Sequence, residues 1–155
     1  MSIKTGVFGI DFNIDNLQSR NSITKPLNLT EKTGSFSETN WTEKEVTNIF
    51  MNENFNLDIS PRECLIKGIL GLKLGSNCSE AFIRFKIQKD NYINYSNIFR
   101  QLTIKPNFDY YPFIVNVGVS KKGIYKFCIE VKLVPSGSNP SAYYLYGLTD
   151  LILKV

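Results

Sequence analysis

The sequence predicts an all-β protein: an antiparallel two-sheet β-sandwich, jelly-roll-like, of about eight strands with one short helix and an extended N-terminal arm. Three observations point there. Strand formers dominate the 155 residues, with 17 Ile, 11 Phe and 8 Tyr against 2 Ala, the best helix former. The stretch FIVNVGVSKKGIYKFCIEVKLVP, residues 113–135, alternates apolar and polar positions at the period of two that a pleated strand imposes. Short runs of that kind are separated by turn residues, as at PSGSNPS, 135–141. A chain of this length is long enough to bury one core, so residues 1–155 read as a single sandwich domain.

The strongest stretch places Phe113, Val115, Val117 and Val119 on one face, and Tyr125, Phe127, Ile129, Val131 and Leu133 on the face of the next run. Lys126, Glu130 and Lys132 point the other way. Gly123 supplies a positive φ at the end of Ser120-Lys121-Lys122-Gly123, so the two runs read as a hairpin. The predicted core includes Phe85, Val115, Val117, Phe127, Ile129 and Leu151.

From the N-terminus, Phe8, Ile10, Phe12 and Ile14 alternate as a first strand over 6–14. Residues 15–42 turn polar, and their apolar members Leu17, Ile23, Leu27, Leu29 and Phe36, with Trp41, stand apart without a period. They read as anchors of an arm or long loop that a neighbouring subunit holds in place. Thr42-Glu43-Lys44-Glu45 fits a capping box, and Val46, Ile49 and Phe50 follow at helical spacing, which predicts a short helix over Glu43–Met51. Further strands are predicted over 55–59, 64–74, 80–88, 98–105, 112–120, 123–134 and 142–154. DNYINYSN, residues 90–97, reads as an exposed loop. In the last strand Tyr143, Leu145, Leu151, Leu153 and Val155 share the presumed core face.

Over Gly123–Leu133 the run GIYKFCIEVKL resembles the glycine-aromatic strand of the tumour-necrosis-factor and C1q-like jelly rolls, where a Gly-x-Tyr leads an alternating run. Those families place several more strands after the motif, and here one clear strand remains. No trimer-axis or receptor residue carries over.

The chemistry that composition excludes is extensive. With no His, the chain lacks the usual neutral-pH base and the Ser-His-Asp and Cys-His arrangements. Three scattered cysteines, Cys64, Cys78 and Cys128, form no CxxC pattern and read as reduced thiols. Asp11, Asn13 and Asp15 resemble the start of a calcium loop, but Asn16 and Ser22 fall where its glycine and glutamate belong, so they read as an outward polar strand face. No phosphate-binding glycine loop occurs. The sequence therefore predicts no catalytic residue, no metal, no cofactor and no enzymatic activity. The net charge of +4 is spread over outward positions of separate strands, so nucleic-acid binding is not expected, and no apolar run reaches the ~18 residues of a membrane span. MSIKTGVFGIDF lacks a signal-peptide core, which predicts a protein not exported by that route, residing in a virion or the host cytoplasm.

What remains is adhesive surface. Leu65, Ile69, Phe82, Phe99, Ile114, Ile124, Tyr144, Tyr146, Leu148 and Ile152 all fall opposite the presumed core in their strands and read as a protein interface. The sequence thus predicts a structural or interaction protein, such as a capsid-decorating, fibre-associated or tail-associated component of a virus or bacteriophage particle. Its partners would be copies of itself or other subunits of the assembly. The alternative is a lectin-like module in which Tyr92, Tyr95, Tyr110 and Tyr111 stack on sugar rings.

Overall fold

A computed structural model describes residues 22–27, 31–51, 63–118 and 123–154. The strands expected over 6–14 and 55–59, with Leu17 and Leu29, lie outside them. Ten strands follow in chain order: β1 (Ser22–Pro26), β2 (Lys32–Phe36), β3 (Thr42–Met51), β4 (Glu63–Leu74), β5 (Cys78–Lys89), β6 (Tyr92–Tyr95), β7 (Phe99–Gln101), β8 (Asp109–Gly118), β9 (Gly123–Pro135) and β10 (Ala142–Lys154). All pair antiparallel, in two sheets.

Each sheet has four strand positions. In the first, β1 and β2 lie end to end along one side of β10, followed by β4 and β8; in the second the order is β3, β9, β5, with β6 and β7 end to end along β5. Taking each end-to-end pair as one position, the chain forms one long antiparallel hairpin. Its first position pairs with its last, β3 with β9, β4 with β8, and β5 with β6 and β7. Rolling that hairpin so that β10 meets β4 and β9 meets β5 gives the jelly roll. At one end the β4–β5 turn and the β9–β10 loop are tied together by backbone bonds, Gly75 N to Ser141 O at 2.8 Å and Ser136 N to Asn77 O at 2.8 Å.

The core is the seam between the sheets. Phe85 of β5 stacks on Phe113 of β8 at 3.9 Å between ring centroids, on Phe127 of β9 at 5.4 Å, and meets Tyr146 of β10 edge-on at 5.3 Å. All six predicted core residues are buried.

Four expectations are corrected. Residues 43–51 are strand, not helix: the segment Thr42–Met51 is rich in β-branched and aromatic residues, and along it Glu45, Thr47 and Ile49 turn inward while Val46 and Asn48 face out. The described part of the expected arm is likewise sheet. β1 and β2 pair with β10 of the same chain, Phe36 is buried and Leu27 packs against the core, so this chain itself anchors that part of the segment. Tyr92–Tyr95 pairs with β5 through a tight connection in which Asp90 takes a positive φ of 53°. β8 and β9 form no hairpin: β8 pairs with β4 and β9 with β3 and β5, and their apolar faces meet across the core. Gly123 does take the expected positive φ, 138°.

Candidate functional site

The jelly roll presents two outer faces, and they differ in kind. On the second sheet, the register sets Arg84 opposite Glu130, Lys86 opposite Cys128, and Glu43 opposite Glu130. Arg84 Nε donates to Glu130 Oε1 at 2.7 Å, and its guanidinium lies 4.2 Å from the Trp41 ring centroid and 4.1 Å from that of Tyr95. Lys86 bonds Glu43 and sits 3.2 Å from Glu130 Oε2, so one ammonium relieves the like-charge pair of the two glutamates. Lys126 reaches Glu43 at 3.3 Å. Lys132 lies over Trp41 and Phe82, and Arg100 pairs with Glu80 over Phe82.

The ladder tunes its own charges. Lys86 donates to Glu43 and holds its carboxyl below the ordinary 4.5 against the opposing effect of burial, with Lys126 adding to the same direction. Burial works against the Lys86 ammonium, but its bonds to Glu43 and Glu130 outweigh that and raise its pKa. Beneath the ladder, burial pushes the Cys128 thiol up to about 12, so it stays protonated and unreactive. The ladder ties these charges and rings together, and the same face leaves Val46 and Ile124 each 51 % exposed.

The outer face of the first sheet holds its ring contacts at one end, where Lys73 lies over Phe108 and Tyr143. Its central rows, read from the register, set Leu145, Gly71 and Tyr110 side by side, then Gly147, Ile69 and Pro112, then Asp150, Lys67 and Ile114, then Ile152, Leu65 and Asn116. Ile69 is 42 % exposed, Ile114 51 % and Tyr110 61 %. The glycines make the face uneven. A Cβ on Gly71 would stand 3.0 Å from Leu145 Cγ and 3.1 Å from Tyr110 Cε1, so these side chains close over the bare backbone. Beside them lies a groove of about 670 Å³ whose lining includes Ile69, Tyr110, Leu145, Gly147, Glu31 and Asp150. A second hollow of about 390 Å³ runs past Lys67, Pro112 and Ile114 to Phe99. Lys67 and Asp150 are register neighbours yet form no ion pair among the described residues, and Glu31 forms none there either.

The ten predicted interface residues divide. Leu65, Ile69, Ile114 and Ile152 share the first sheet's outer face; Phe82 and Ile124 lie on the second sheet's, Phe82 under Lys132 and Arg100. Phe99 is half-buried against Tyr111 at 5.6 Å. Tyr144, Tyr146 and Leu148 are corrections: they are core residues, each 2–3 % exposed. The cause is a bulge in β10 between Leu148 and Asp150, which inserts one residue and lets 142, 144, 146, 148 and then 151 all face inward. Tyr143 and Leu145, expected inside, therefore face out.

The inward tyrosines meet polar residues of β3. The Tyr144 hydroxyl donates to Glu45 Oε2 at 3.0 Å, and burial with that bond raises its pKa. The Tyr146 hydroxyl is buried without a hydrogen bond of ordinary geometry, although Thr47 lies close enough to act on it, and burial pushes it up to about 12.

The four candidate ring-stacking tyrosines do not converge. Tyr95 packs on Arg84 of the second sheet, Tyr110 stands on the first sheet's outer face, Tyr111 packs on Phe99, and the Tyr92 hydroxyl donates to Asn116 O at 3.4 Å. Of the arm anchors, Trp41 packs on Arg84 and Lys132, and Ile23 lies in β1 opposite Leu153. Among the described residues no group of three or more His, Cys, Asp and Glu could hold a metal ion, and no helix is long and apolar enough to cross a membrane.

Sequence reasoning missed Leu145, Gly147, Gly71 and Pro112 as parts of the apolar face, and Trp41–Arg84–Tyr95 as a stack. Strand pairing brings these residues together, and alternation within one strand carries no signal of it. No protein-family model matches the chain, and no curated protein matches it.

Proposed function

We propose that this protein is a non-enzymatic structural subunit that works through protein contacts made by the outer face of the β1/β2–β10–β4–β8 sheet. The contrast between the two outer faces carries the reading. One is crossed by a ladder of paired charges and stacked rings beside exposed Val46 and Ile124, while the other sets exposed Ile69, Ile114 and Tyr110 around a groove whose charges, Asp150 and Glu31, have no ionic partner among the described residues. Contiguous apolar surface of that kind is characteristic of interfaces. The setting that suits it is a virus or bacteriophage particle, as a capsid-decorating, fibre-associated or tail-associated component in the virion or host cytoplasm. Jelly rolls are common in such shells, and this is an analogy of fold, not of site.

The test is a double substitution, Ile114→Lys with Ile152→Lys. Surface residues replaced in this way leave folding stability within about 0.5 kcal/mol per site, so the variant should keep the wild-type urea midpoint while losing association. A variant that fails to fold assigns both residues to an internal core and removes the docking face. The lectin-like alternative predicts micromolar binding on a glycan array by the isolated chain. The dispersal of Tyr92, Tyr95, Tyr110 and Tyr111 supports the opposite result, no binding.

A further inference from the structure

We infer that β3 is an acid-released strap: when Glu43 and Glu45 take up protons, the strand from Glu43 to Met51 lifts away from β9 while the rest of the sandwich stays folded. Three observations carry this. The first is position. β3 is the outermost described strand of its sheet, joined to β9, and among its described side chains only Ile49 belongs to the core. β9 beside it contributes Tyr125, Phe127, Ile129, Val131 and Leu133. Segments with few buried apolar side chains are the ones that open below the cost of global unfolding.

The second observation is the chemistry of the ties. On the outer side Glu43 bonds Lys86 of β5 and lies 3.3 Å from Lys126 of β9; on the inner side Glu45 Oε2 accepts from the Tyr144 hydroxyl of β10 at 3.0 Å. Among the described residues, both polar side-chain ties from β3 to other strands therefore depend on carboxylates. A hydrogen bond to a neutral acid is roughly half as strong as one to its carboxylate, and protonated Glu43 also gives up its attraction to two ammonium groups. The third is the backbone. The β3–β9 register shifts between Glu43 and Glu45, so the ladder is interrupted where the two acids sit. β5 and β9, by contrast, are joined through the core, where Phe85 stacks on Phe127 and no proton is exchanged. Trp41, stacked on Arg84 and Lys132, is equally insensitive to acid and supplies the hinge.

The groups around the two acids fix the direction of the response. Glu43 meets Lys86, Lys126 and, in register, Glu130, with the Cys128 thiol beneath them; Glu45 meets Tyr144 and Tyr146; Lys44 turns to Glu38 at 2.7 Å. Burial keeps the thiol and both tyrosines protonated, so none of them competes in the acid range. Lys86 first, and Lys126 after it, hold Glu43 below its ordinary 4.5. Its tie is thus complete above that value and lost as pH falls through the lower folded one.

The experiment follows amide hydrogen exchange, peptide by peptide, in the full chain. At about pH 7, Glu43→Gln with Glu45→Gln imitates the protonated acids while every other group keeps its charge. Amides of residues 43–51 should lose about tenfold or more in protection, the equivalent of one pKa unit of differential interaction, and those of β4 and β5 should keep their wild-type values. Wild type taken down to about pH 3 should show the same selective loss once intrinsic exchange rates are corrected for. Glu43→Gln alone gives the reading, at smaller size, if the double variant does not fold. A loss spread evenly over β3, β4 and β5, or unchanged protection of β3 in the variants, overturns the strap.

Discussion

Phe85 shows how much one position can carry: its ring touches rings from three other strands, two of them in the opposite sheet. Phe85→Ala should cost about 3–5 kcal/mol, the range for emptying a large buried ring site, measured by chemical unfolding. The tyrosines of β10 give a sharper contrast. Tyr144→Phe removes a donor from the partly exposed Glu45 carboxylate and should cost about 1 kcal/mol. Tyr146→Phe removes a buried hydroxyl that lacks an ordinary hydrogen bond, so it should leave stability unchanged or raise it by up to about 1 kcal/mol. Equal losses in the two variants would show that Thr47 bonds Tyr146 fully. The three thiols are buried, and Cys128 is held protonated with its pKa at about 12. None should react with a thiol reagent at pH 8 until the chain is unfolded, and stoichiometric labelling of native protein would contradict that.

At the scale of elements, pairing overrides local pattern. Thr42-Glu43-Lys44-Glu45 has the letters of a capping box, but the open edge of β9 offers Val46, Thr47 and Ile49 a sheet in which β-branched side chains lose no further freedom. The β10 bulge is the second such decision, since a single inserted residue exchanges which side chains line the core and which line the candidate interface. Gly68 marks where the first sheet tolerates no side chain. A Cβ there would collide with the Gly147 carbonyl oxygen and the Phe113 ring, and the backbone oxygen cannot rotate away. Gly68→Ala should therefore destabilise by roughly 1–3 kcal/mol or more in thermal or urea unfolding. A neutral result would mean that β4 and β10 separate at this point more easily than their pairing implies.

For the molecule as a whole, the charged ladder sets the pH response. Glu43 is depressed below its ordinary 4.5 on folding, so its contribution to stability is complete above that value and is lost as pH falls through the lower folded value. Lys86 is raised above its ordinary 10.5, so its contribution is intact below that value and is lost only as pH climbs through the folded one. Stability should be level between about pH 5 and 10 with respect to these groups and decline below 4.5. Glu43→Gln should flatten the acid limb in unfolding curves taken across pH 3–6, and an unchanged limb would remove Glu43 from the account. Among the described residues the outer face of the first sheet holds no such ladder, so association through it should respond to salt and to Ile69 substitution more than to acid.

The sequence specifies the fold class, most strand positions and the central core. Those properties follow from side chains alternating at period two, and Phe85, Val115, Phe127 and Ile129 are buried for that reason alone. It also pointed to Ile69, Ile114, Leu65 and Ile152 as outward apolar residues, because their neighbours in the chain are core residues. The folded chain settles which strands pair. It set β8 and β9 in opposite sheets, drew residues 22–26 and 32–36 onto β10, made a strand of Thr42–Met51, and turned Tyr144, Tyr146 and Leu148 inward after the bulge. Alternation fixes a strand's two faces but not its neighbours. Pairing depends on hydrogen bonds and ring contacts between residues far apart in the chain, and these decide which apolar face becomes core and which is left for a partner.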